Sequence, residues 1–148
     1  MSDKIEKTIT LRAPIERVWR AITDHEEFGA WFRVKIDGPF RLGEPSTGRM
    51  TYPGAEHFKW EAEVTRLDPP RHFAFTWPHP ADPHAATYAG EPRTLVEFRL
   101  EPTADGTRLT IVESGFEAVP ADRRAEAMRG NEKGWTEQIE NIRTHVDG

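Results

Sequence analysis

The stretch PIERVWRAITDHEEFGAWF, residues 14–32, carries two tryptophans and two phenylalanines through two short helical patterns. Pro14 suits the first position of a helix, where a missing N–H costs nothing. Ile15, Val18, Trp19 and Ile22 follow at i, i+3, i+4 and i+7 and form one buried stripe. Asp24 with Glu27 three residues on reads as a capping box. It starts a second helix bearing Phe28, Trp31 and Phe32. Helices of one or two turns are marginal alone, so something larger must hold these aromatics. Either they plug an ordinary core or they help wall a cavity.

Outward from this stretch the period changes to two. Upstream, Ile5, Ile9 and Leu11 alternate with polar residues as in a half-buried strand, with Lys7 the discordant member of their face. Downstream, residues 33–53 hold short strands broken by DGP and GEPSTG. In HFKWEAEV, Phe58, Trp60, Ala62 and Val64 share a face. DPPRHFAFTW turns at its prolines and returns with Phe73, Phe75 and Trp77 on one side. TLVEFRL and TRLTIVESGF flank ADG, a hairpin signal, with Val96, Phe98, Leu100, Leu109 and Ile111 inward. A long amphipathic helix closes the chain from about Ala121. Its stripe is Met128, Glu132, Trp135, Ile139, Ile142 and Val146.

A sheet with one aromatic and one charged face needs a cover on the aromatic side only. The long helix has the apolar length to supply it. The expected fold class is α+β: a curved antiparallel sheet wrapped around a C-terminal helix, with two short helices after the first strand. Phe73, Phe75, Phe98 and Ile111 are then expected to face that helix.

Composition narrows the function. The 148 residues suit a single domain, 1–148, with a substantial core. A formal charge of −5 gives no electrostatic reason to expect nucleic acid or an anionic membrane surface as a partner, and neither nucleic acid nor a membrane span is expected. No apolar run approaches the roughly 18 residues of a membrane span, and no basic-then-apolar leader opens the chain. The absence of cysteine excludes disulfides and thiolate chemistry. A cytoplasmic location is expected.

The segments APIERVWRAITDHEEFGAWF, RLDPPRHFAFTW, TRLTIVESGF and GWTEQIENI, in that order along nearly the whole chain, resemble the heat-shock protein 90 ATPase activator homologue-like branch of the START-like (SRPBCC) superfamily. The resemblance implies the helix-grip (START/Bet v-like) fold, a hydrophobic cavity between sheet and helix, and a link to the stress response. It does not imply one activity, because the superfamily includes lipid carriers, hormone sensors, polyketide cyclases and co-chaperone domains.

Aromatic stripes at strand and helix spacing are the ordinary signature of plain core. A sheet bent around a helix, as the resemblance implies, leaves space at its open end, and aromatics suit a pocket wall. On this reading Val18, Trp19 and Ile22 pack against the sheet. Trp31, Phe32, Trp60, Phe73, Phe75, Phe98 and Trp135 are the ligand-binding candidates. The first helix of the opening stretch seals the core, and the second helps close the pocket mouth.

Two acids interrupt the apolar pattern. Glu113 continues the Leu109, Ile111 phase, and Glu132 lies on the long helix's stripe. A carboxylate inside an apolar cavity is pushed up in pKa unless a cation pairs with it. Either acid would then bind a ligand hydroxyl or amine, or serve as a catalytic acid–base. The alternative is that both reach solvent, or pair with an arginine or Lys7. His79, Asp82 and His84, in the loop 78–94, have the donor types of a divalent-metal site, but exposed loop histidines commonly lack that role, and neither metal nor cofactor is expected. That loop has the length of a lid. Gly130 and Gly134 leave room on the helix for a bend or a second copy in a homodimer, or are tolerated surface glycines. No G-x-S-x-G, P-loop or dinucleotide fingerprint is present.

Three functions stand open. The first is binding of an apolar, lipid-like small molecule. The second is an enzyme of cyclase, dehydratase or hydrolase type using Glu113 or Glu132. The third is a co-chaperone of a heat-shock ATPase, which ranks last because the eukaryotic activators carry a separate N-terminal domain that this chain lacks. Binding is favoured, since no nucleophile or metal set stands out.

Overall fold

A computed structural model describes residues 4–147. Strand β1 (Ile5–Leu11) leads through α1 (Ile15–Thr23) and α2 (His25–Phe32) into β2 (Val34–Ile36) and β3 (Pro45–Met50). Then come β4 (Lys59–Asp68), β5 (His72–Pro78), β6 (Arg93–Thr103) and β7 (Gly106–Ser114). A short 3₁₀ turn (Phe116–Ala118) precedes α3 (Ala121–Asp147).

The strands form one antiparallel sheet in the order β1-β7-β6-β5-β4-β3-β2. Because β1 and β2 sit at opposite edges, the link between them must cross the sheet, and α1 and α2 make that crossing. An extra residue, Thr65, interrupts the β4–β5 register between Val64 and Arg66. Such a bulge bends its strand and sharpens the twist, which helps curl the sheet over the helices. The result is the helix-grip arrangement: a curved seven-stranded sheet, two short helices after the first strand, and a long C-terminal helix.

The concave face is filled by rings. Phe28 is their hub, with its centroid 4.6–6.4 Å from those of Trp31, Phe32, Phe40, Trp60, Phe75 and Phe98. Phe73, Phe75, Phe98 and Ile111 all point inward and are buried in the cluster that includes Trp135, Ile139 and Ile142 of α3. Phe98 meets Trp135 ring to ring at 5.9 Å. Phe73 instead packs on Phe40 at 5.1 Å, and Phe75 on Trp60 at 5.4 Å. Phe28 of α2 lies against both Phe75 and Phe98, so α2 shares with α3 the task of covering the sheet.

Both ends of α3 are tied down. The Asp147 carboxylate accepts the backbone N–H groups of Arg12 (2.9 Å) and Ala13 (3.0 Å), fixing the helix's last turn to the corner after β1. At the other end Arg124 donates to the Val119 carbonyl at 3.0 Å. Trp31 donates its indole N–H to the Ala21 carbonyl at 2.8 Å, locking α2 against α1.

Four local expectations need correction. Pro14 precedes α1 as its cap, one residue outside the helix. The Asp24 carboxylate accepts from the backbone N–H of Glu26 and Glu27, but the reciprocal half of the capping box is absent. Glu27 turns instead to Arg17, Arg20 and His145, because charge-assisted bonds are stronger than one to a backbone amide. The PSTG of GEPSTG lies inside β3. Gly48 fits there because a Cβ would fall 2.2 Å from the Lys35 carbonyl oxygen of the paired strand. Finally, Phe58 lies before β4, not in it, and is 36% exposed.

Candidate functional site

Strand phase delivers the first components. On β7, Leu109, Ile111 and Glu113 alternate inward, and β1 and β6 flank them on either side, so Glu113 stands on an interior strand at 0% exposure. On β6 the inward phase begins at Thr94, paired with Trp77 of β5. The phase Phe73, Phe75, Trp77 carries on past the end of β5 to His79. Helix α3 presents Asn131 and Trp135, four residues apart and hence on one face.

These side chains converge on one carboxylate. Glu113 accepts the indole N–H of Trp77 (2.8 Å) and of Trp135 (2.9 Å), and the Asn131 amide (2.9 and 3.1 Å to its two oxygens). The Thr94 hydroxyl lies at 2.5 Å and His79 Nε2 at 3.1 Å. An ionised carboxylate only accepts, so Nε2 of His79 is the protonated nitrogen. The Thr94 oxygen donates to Glu113 and accepts from Trp77 and His79 with its lone pairs. Every partner thus has a consistent role.

Burial by itself pushes the Glu113 carboxyl up. The bonds from His79, Thr94, Trp77 and Trp135 outweigh that and hold it below the usual glutamate value. The expectation of an upward shift is thereby reversed. It overlooked the donors, which come from three strand or loop segments and a helix distant in sequence.

Beside this network lies a cavity of ≈ 560 Å³. Phe32, Met50, Trp60 and Trp77 give it apolar walls, and Lys59, Glu61, His79, Arg123, Glu126 and Asn131 add polar groups to its lining. The segment between β5 and β6 forms a further wall through Pro80, Ala81, Pro83 and Tyr88. Tyr88 is buried, its backbone N–H donates to the Glu61 carboxylate at 3.2 Å, and Lys59 bonds the Ala85 carbonyl. Arg123 donates to the His79 carbonyl at 2.9 Å, linking the start of α3 to this segment.

Of the seven aromatic wall candidates, Phe32 and Trp60 line the cavity. Trp31, Phe73, Phe75, Phe98 and Trp135 belong to the packed core behind it. The two acids part company. Glu113 is inward as its phase required, whereas Glu132 is 53% exposed at the side chain and pairs with Lys7 at 2.6 Å. Residues 131 and 132 both keep helical spacing with Trp135, and α3 settles with Asn131 inward and Glu132 toward the edge strand. An exposed pair of this kind contributes little. Glu132→Gln is expected to lower stability by no more than about 1 kcal/mol, measured by urea denaturation.

His79, Asp82 and His84 do not come together. His79 turns inward to Glu113, Asp82 accepts the backbone N–H of His84, and His84 stacks on His57 at 4.2 Å. Among the described residues no group of three or more His, Asp or Glu is placed to hold a metal ion. No helix among them is long and apolar enough to cross a membrane. The residues that sequence reasoning missed are His79 as Glu113's partner, Thr94, Asn131 and Arg123. One signal was present: a buried Trp needs an acceptor for its N–H, and the inward phase of Trp77 extends to His79.

The profile of the Activator of Hsp90 ATPase homolog 1-like protein family matches residues 12–147. No curated protein matches the chain. Among solved structures, protein MLL2253 from Mesorhizobium loti is 25% identical with a TM-score of 0.77, the alignment covering 97% of this chain and 96% of that one. Protein BH1534 from Bacillus halodurans is also 25% identical, with a TM-score of 0.70 and coverage of 97% and 96%. DynU16, from the dynemicin biosynthetic locus, is 20% identical with a TM-score of 0.74 and shares the fold. The alignment covers 99% of this chain but 48% of DynU16.

Proposed function

This chain belongs to the Activator of Hsp90 ATPase homolog 1-like family, and on that premise we propose that it binds a largely apolar small molecule in the cavity beside Glu113. One observation carries the reading: a space of ≈ 560 Å³ lined mostly by apolar and aromatic side chains, with a minority of polar ones among them. Small-molecule sites have this composition and this size, roughly 300–1,000 Å³, with polar groups fixing orientation. The ligand's apolar body lies against Phe32, Trp60 and Trp77, and a polar group faces His79, Asn131 and Arg123.

The test uses freshly purified protein. Native mass spectrometry, followed by solvent extraction, is expected to reveal a co-purifying apolar molecule. Ala127→Trp places an indole in the cavity from α3 and is expected to abolish that association while keeping a cooperative unfolding transition. Equal ligand occupancy in the filled variant would move the binding site elsewhere.

A further inference from the structure

The Glu113 network does more than satisfy a buried charge, because it orients an imidazole at the cavity's edge. His79 Nε2 is committed to Glu113 and Thr94. Nδ1 makes no hydrogen bond, yet Thr103 Oγ1 is the only fully buried side-chain N or O without a partner among the described residues. Nδ1 is therefore not fully buried, and His79 is one of the residues that line the cavity. With the proton fixed on Nε2, the free nitrogen carries a lone pair. A carboxylate that fixes one imidazole nitrogen so that the other accepts a proton is the arrangement of a general base.

Arg123 adds the complement. It lines the same cavity and donates to the His79 carbonyl, but its guanidinium forms no ion pair with a described carboxylate. An unpaired cation in an apolar site is suited to an anion that appears during reaction. Glu113 itself is enclosed by donors and stays ionised, so its part is to position His79.

Resting on the ligand-binding reading above, we propose that His79, positioned by Glu113, removes a proton from an apolar carbon acid held in the cavity. The substrate class is an apolar molecule whose C–H is acidified by a neighbouring carbonyl or similar electron sink. Nδ1 takes the proton, and the C–H electron pair moves into that sink to give an enolate-type anion. The new imidazolium remains paired with the Glu113 carboxylate, and Arg123 offers its charge to the anion. Return of the proton at a different carbon isomerises the molecule and restores neutral His79, with no co-reactant consumed.

A nitrobenzisoxazole probe tests this directly. Removal of its one acidic ring proton sends the C–H electrons into a carbon–nitrogen triple bond, breaks the N–O bond and releases a coloured phenoxide. The wild-type chain is expected to show saturable turnover at least about a hundredfold faster than Ala127→Trp or His79→Phe, the usual minimum for a positioned base. The midpoint of its pH–rate profile is expected to coincide with the His79 imidazole titration followed by NMR in the same wild-type protein. That comparison holds even where His79→Phe fails to fold.

The other titratable groups lining the cavity are Lys59, Glu61, Tyr88, Arg123 and Glu126. A rate midpoint that follows one of these overturns the assignment to His79. Two further outcomes separate the base from the binding site. If the probe shifts the Trp60 and Trp77 indole signals but is not turned over, the base fails and the binding reading stands. If it shifts neither, both fail.

Discussion

Replacing Glu113 with alanine is expected to destabilise the fold by about 3–5 kcal/mol, the order expected when several buried donors lose one shared acceptor. The cost arises less from the lost carboxylate than from what it leaves behind. Two indole N–H groups, the Asn131 amide, the Thr94 hydroxyl and His79 Nε2 would all lose an acceptor. Each unsatisfied buried donor costs roughly 1–3 kcal/mol, reduced where the side chain turns to another partner or to water. Glu113→Gln keeps the size and one acceptor oxygen, so it is expected to cost less, though it brings an amide donor into a ring of donors. Urea denaturation of the three proteins gives the order: wild type, then glutamine, then alanine.

The same carboxylate sets a dependence on pH. Its folded pKa lies below the ordinary value, so its stabilisation is fully present above that value and is lost as pH falls through the folded one. The wild type is therefore expected to lose stability on acidification below 4.5, the ordinary glutamate value. Glu27 contributes in the same direction. Burial raises it, while bonds from His145, Arg17 and Arg20 lower it further than burial lifts it. Glu113→Gln removes one of these two contributions and is expected to flatten the acid limb without abolishing it. Parallel acid limbs in the two proteins would mean that Glu113 is not the ionised acceptor described above.

Trp135→Ala is expected to cost a further 3–5 kcal/mol or so, as for a large aromatic removed from packed core. Trp135 is 2% exposed, and its ring lies 5.6 Å from Trp77, 5.9 Å from Phe98 and 6.2 Å from Phe32. It also donates to Glu113 at 2.9 Å. Trp135→Phe retains much of the ring packing and drops the donor, so the difference between the two variants separates packing from the hydrogen bond. Because Trp135 stands behind the cavity wall, the phenylalanine variant is expected to bind an apolar fluorescent probe with nearly wild-type affinity. A probe affinity that collapses in Trp135→Phe would place the indole at the ligand.

The fold was readable because its elements are written in local periodicities. Alternation in β1, β5, β6 and β7 and the three-four spacing in α1 and α3 depend only on which neighbours share a face. The inward phase of Glu113 followed from the same rule, as did the aromatic character of the concave side. The first part of β3 reads as a break between short strands because Gly48 and Pro45 look like turn residues until a paired strand comes close enough to require a glycine.

The site depended on distances that no local pattern contains. Whether Asn131 or Glu132 faces inward is a choice between adjacent positions, about 100° apart on a helix of 3.6 residues per turn. It was decided by Lys7 on β1 and by the Glu113 carboxylate on β7. Which aromatics are wall and which are core follows from where α2 inserts Phe28, since the same strand face serves either role. The direction of the Glu113 shift required its donors, and His79, 34 residues earlier, meets it only when the end of β5 is folded against β7. Sequence alone thus determined the faces and the layers, through short-range periodicity. Tertiary packing decided the cavity, the partners of the buried charge and the free nitrogen of His79, because burial and hydrogen bonding are properties of what surrounds a residue.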